Sequence, residues 1–147
     1  MRRAVLIAVG VVVFLAISFE LARYLQTESR ERAAILTLLQ AQARGDAVAM
    51  LARLDPSCRA DARCRATVRA DAARLERPGD PKILSLESGT AYALGSKTAL
   101  TRVAWTVVGR GLPVVQCVMV RRSGTALAGR RVSLLRVSAP IGNQASC

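Results

Sequence analysis

The sequence predicts an α+β fold: an N-terminal transmembrane helix, then helices packed on a four-stranded antiparallel sheet. Three observations carry that expectation. An uncharged apolar run opens the chain, from Ala4 to Phe19. Apolar residues then recur with helical spacing as far as Leu75. After the breaker Arg77-Pro78-Gly79-Asp80-Pro81 the spacing changes to the two-residue period of strands. Helices first and consecutive hairpins afterwards imply an antiparallel sheet.

The apolar run holds 16 residues, a rise of about 24 Å as helix, short of the roughly 30 Å hydrocarbon core of a bilayer. Extension to Leu25 lengthens it to about 33 Å, and brings in Glu20, Arg23 and the interfacial aromatic Tyr24. The sequence reading is an uncleaved anchor over 1–25, with a cleaved signal peptide ending near Ala16-Ile17-Ser18 as the alternative. It divides the chain into this anchor, a folded domain over 26–141 and a C-terminal tail over 142–147. The expected location is the cell membrane, single-pass, with the domain on the extracytoplasmic side.

Thr27 or Ser29 is a candidate start for the next helix, unless the first continues without a break. Ile35, Leu38, Leu39 and Gln42 fall on one of its faces, and Gly45 is its stop. Asp46 caps a short helix whose expected apolar side is Val48, Leu51 and Leu54. Asp55-Pro56 restarts the chain, since proline suits a first helical position. A further helix spans Asp61 to Leu75, with Val68, Ala72 and Leu75 inward and Arg63, Arg65, Arg69 and Arg74 outward. Four strands are expected at Lys82–Leu94, Thr98–Val108, Leu112–Arg121 and Arg131–Ala139. The third is apolar on both faces, so it should be central and covered on both sides, or lie at a subunit interface. Trp105 reads as a core anchor.

Composition removes much chemistry. With no histidine, no Ser-His-Asp triad, Cys-His dyad or histidine metal site can form. The net charge is 22 − 10 = +12, and all but Lys82 and Lys97 of the basic residues are arginine. Only 3% of residues are aromatic, too few for base stacking, so nucleic acid is not an expected partner. No Cys-x-x-Cys is present and the cysteines lack zinc-ligand spacing, so no cofactor or metal is expected.

Four cysteines allow three connectivities. Within one regular helix Cys58 and Cys64 would lie on different faces, about 9 Å apart along the axis. A helix beginning near Asp61 supplies the break that a bridge needs. The favoured pairing is Cys58–Cys64 with Cys117–Cys147, the second clamping the tail 142–147 onto the sheet. Buried unpaired thiols are the alternative. Loop entropy makes these bridges worth about 2.4 and about 3.7 kcal/mol.

The acids all lie at or before Glu87, and residues 88–147 hold eight basic side chains and no acid. Arg121-Arg122 and Arg130-Arg131 flank the turn Ser123–Gly129. They form a candidate contact for anionic lipid headgroups or an acidic protein surface.

A long helix ending at Ala43-Arg44-Gly45-Asp46, two shorter helices and a strand meander resemble the NTF2-like, cystatin-like superfamily over about residues 28–141. The resemblance implies a curved sheet wrapped on the long helix, sometimes around a conical pocket. It also implies a choice between assembly subunits of envelope machines and enzymes such as isomerases and dehydratases. An enzyme of that kind would need a general base facing the pocket, and Glu87 with Tyr92 is all the strands offer. The reading is therefore a non-catalytic, membrane-anchored interaction or assembly module, binding a protein partner or its own copy through the sheet. Its alternatives are binding of a hydrophobic ligand or lipid between helix and sheet and, less favoured, isomerase or hydratase activity.

Overall fold

The computed structural model describes residues 2–89, 97–109, 111–124 and 131–147. Four helices come first: α1 (Arg2–Ala43), α2 (Ala47–Arg53), α3 (Pro56–Ala60) and α4 (Ala62–Arg74). Four strands follow: β1 (Pro81–Ser88), β2 (Lys97–Val107), β3 (Val114–Ser123) and β4 (Arg131–Val137). They form one antiparallel meander in the order β1-β2-β3-β4.

The expected transmembrane helix is corrected. Among the described residues no helix is long and apolar enough to cross a membrane. The physical reason lies in the sequence of α1. Its apolar run ends at Phe19, after a rise of about 24 Å. From Glu20 the helix continues through charged positions instead of ending in a second apolar stretch. The first helix continues without a break past Leu25, and α1 is one helix of 42 residues. Described apolar side chains in its first half, such as Val12, Phe14 and Ile17, are more than half exposed.

The second half of α1 enters the core. Ile35, Leu38 and Leu39 are buried there with Met50, Leu54, Val68 and Ala72 from the shorter helices. A Schellman motif closes α1: Gly45 N–H donates to Gln42 O at 2.9 Å and Asp46 N–H to Ala41 O at 3.0 Å. Gly45 sits at φ 70, which explains the glycine. Each shorter helix starts on an aspartate. Asp46, Asp55 and Asp61 accept from the backbone N–H groups of Ala49, Ser57 and Arg63 at 2.8, 3.0 and 2.9 Å. In α2 the residue that packs inward is Met50; Val48, expected there, is exposed.

The inner sheet face carries Val103, Trp105, Val107, Val118 and Val120, all buried. Trp105 is fully buried, and its indole N–H donates to Gln116 Oε1 at 2.9 Å. The β4 edge is covered: Asp55 N–H donates to Leu134 O at 2.7 Å. Both expected disulfides are present, Cys58–Cys64 and Cys117–Cys147. The first spans the break between α3 and α4 at Asp61.

Candidate functional site

Among the described residues, two groups of polar side chains lie in the interior. In the first, Glu31 is buried and accepts from every side. Ser88 Oγ donates at 3.0 Å and Thr101 Oγ1 at 2.6 Å to Oε1. Arg122 donates to Oε2 from Nε at 2.8 Å and from Nη2 at 2.6 Å. Four donors fill the acceptor sites of this carboxylate, so this group fastens α1 to β1, β2 and β3.

In the second group Gln116 is the hub. Its Oε1 accepts from Trp105 and, at 3.1 Å, from Gln42 Nε2. Its Nε2 donates to Ser138 O at 2.9 Å and to Asp71 Oδ2 at 3.4 Å. Burial pushes the Asp71 carboxyl up to about 6, against the opposing pull of Arg74. Gln42 Oε1 is buried without a hydrogen-bond partner among the described residues.

The outer face of the sheet is where surface chemistry gathers. One row of directly paired residues runs Glu87–Arg102–Cys117 across β1, β2 and β3. The tail 142–147 is fastened along this row. Cys117 holds Cys147 covalently. Arg102 Nε donates to Ala145 O at 3.0 Å, and its Nη2 donates to Asn143 O. Glu87 pairs with Arg102 Nη1 at 3.1 Å and orients it. The tail thus forms a strap laid across the strands.

Beside the strap lies an open groove of about 590 Å³. Gly89, Ala99 and Leu100 line its sheet side, and Gln144 to Cys147 line the other. Gly89 is required there: a Cβ would sit 2.8 Å from Leu100 O. Leu100 is 41% exposed and pairs across the strands with Met119, which pairs in turn with Arg136. This next row is apolar with an arginine at its end.

The four arginines expected to form one basic tip have different environments. Arg121 is exposed on the outer face, with Asp55 Oδ2 at 4.0 Å. Arg122 points inward to Glu31, since neighbouring strand residues face opposite sides. Arg131 is exposed. Arg130 lies outside the described residues, as does Tyr92. Arg136, which the expectation did not single out, joins the outer face and pairs with Asp61 at 2.8 Å. The N-cap hydrogen bonds, first that from Ser57 to Asp55 and that from Arg63 to Asp61, hold both carboxyls below their ordinary value.

Among the described residues no cluster of three or more Cys, Asp or Glu side chains could hold a metal ion. No family model, curated protein or solved structure matches the chain. Two disulfides point to an oxidising compartment such as the extracellular space.

Proposed function

We propose that this protein is a non-catalytic interaction or assembly module of an oxidising, extracytoplasmic compartment, and that the groove on its outer sheet face takes a segment of a partner protein. The observation that carries the reading is the distribution of space. The region between α1 and the sheet is filled by Ile35, Leu38, Leu39, Val103, Trp105 and Val118, whereas the groove beside the strap is open. That distribution favours a surface contact over a hydrophobic ligand held between helix and sheet. The interior acids Glu31 and Asp71 are engaged in packing networks, and Glu87 is paired with Arg102, which supports a role without catalysis.

The groove also indicates its occupant. Ala99 and Leu100 give the groove apolar lining, and Arg102 lines it with positive charge beside Glu87; the next row of the sheet continues from Leu100 to Met119 and Arg136. An extended segment bearing an apolar side chain and an acid complements both. The order of a long helix, short helices and a meander supports placing the domain with NTF2-like interaction modules. The exposed apolar section of α1 is further surface that the domain leaves uncovered.

The test is co-purification from the native host under gentle extraction, comparing the natural protein with Leu100→Glu. The natural protein should retain a stoichiometric partner, and Leu100→Glu should release it while keeping an unchanged circular dichroism spectrum. Equal retention by both would overturn the groove as the contact.

A further inference from the structure

The two disulfides differ in burial. Cys58 and Cys64 are 1% and 6% exposed, enclosed between α3, α4 and the core. At the other bridge Cys117 is half-buried and Cys147 is exposed. They also differ in what they hold. Cys58–Cys64 fixes a helix junction inside the core cluster. Cys117–Cys147 closes a separation of 30 residues, but most of that loop is the β3–β4 hairpin, which its own backbone holds together. Ser138 N–H donates to Cys117 O at 2.9 Å, and Ile141 N–H donates to Val115 O at 2.8 Å. Beyond Ile141 only the disulfide and Arg102 hold the strap to the sheet among the described contacts.

We propose that Cys117–Cys147 is a redox modification site, opened selectively by a dithiol reductant, and that its opening frees the strap from the outer face. A thiolate of the dithiol attacks the sulfur of Cys147, the exposed residue of the bridge. A mixed disulfide forms there, and Cys117 leaves as a thiolate and takes up a proton. The reductant's second thiol then attacks the mixed disulfide, forming its own intramolecular disulfide and releasing Cys147 as a thiol. Two electrons and two protons pass to the bridge, and the dithiol is oxidised. Attack at Cys147 needs no unfolding, because access governs such exchange. Attack at Cys58–Cys64 needs the helix junction to open first. The strap then relies on two hydrogen bonds from Arg102, and the wall of the groove becomes movable. This inference stands whether or not the groove binds a protein.

The experiment uses the full chain in native buffer with dithiothreitol, quenched at intervals by alkylation and mapped by peptide mass. Cys117 and Cys147 should become alkylated at least about tenfold faster than Cys58 and Cys64. Backbone NMR order parameters over 142–147 should fall as the bridge opens, while amide exchange stays slow in α1 residues 31–43. Equal reduction rates, or earlier opening of Cys58–Cys64, would overturn the selectivity. Unchanged order parameters over 142–147 after the bridge has opened would overturn the release of the strap.

Discussion

Replacing Arg122 with methionine tests the interior placement of that side chain. Glu31 is 2% exposed and Arg122 21% exposed as side chains, with Oε2 and Nη2 2.6 Å apart. Removing one partner of a buried pair leaves an uncompensated charge and typically costs 3–5 kcal/mol. Ser88 and Thr101 still donate to Glu31, and Arg122 is partly solvated, so Arg122→Met belongs at the lower end, about 3 kcal/mol. In urea this lowers the unfolding midpoint by about 1–3 M for an ordinary slope. The double variant Glu31→Met with Arg122→Met removes both charges, and should recover at least about half of that loss. The assay is urea unfolding followed by circular dichroism and Trp105 fluorescence, at low and high salt. A loss below about 1 kcal/mol that vanishes in salt would mark an exposed pair. It would refute the interior reading and return Arg122 to the surface.

Other expected outcomes follow from single sites. The Asp71 carboxyl stands at about 6 when folded against an ordinary 3.8, so the folded state holds this proton more tightly than the unfolded chain. The contribution is fully present below about pH 4, falls as pH rises, and is lost through about pH 6, a change of about 3 kcal/mol. Asp71→Asn should flatten that slope in urea unfolding measured from pH 4 to 7. Gly79→Ala should lower stability by about 1–3 kcal/mol in thermal unfolding, because Gly79 has φ +135 and its Cβ would lie 2.7 Å from Val107 Cγ1. Trp105→Phe leaves Gln116 Oε1 one donor short and removes core volume, and should lower stability by about 2–4 kcal/mol in the same assay.

Much of the fold was legible because its punctuation is chemical. Gly45 with Asp46, Asp55-Pro56, Asp61 and the Pro78–Pro81 segment each impose a local geometry that tertiary packing cannot easily override. The disulfides were legible from one spacing and one break. The interior polar networks were missed although their signals are present. Gln42 falls on the stripe of Ile35, Leu38 and Leu39, and Glu31 precedes Ile35 by one turn of the same stripe. Arg122 continues the inward alternation of Val118 and Val120. Arg121 and Arg122 take opposite faces because adjacent strand residues do. The strap was anticipated through its cysteine, but Arg102's grip on two tail carbonyls depends on backbone path, which residue types alone do not encode. The transmembrane reading followed apolar character and gave its short reach too little weight.

The central claim is that the outer sheet face meets a protein. It is tested most directly by a photo-crosslinking residue placed at Leu100 in the full-length protein and activated in living cells. The control position is Ala66, exposed on α4. The account predicts a protein adduct of defined mass from position 100 and none from position 66. No protein adduct from position 100, or the same adducts from both positions, would contradict it.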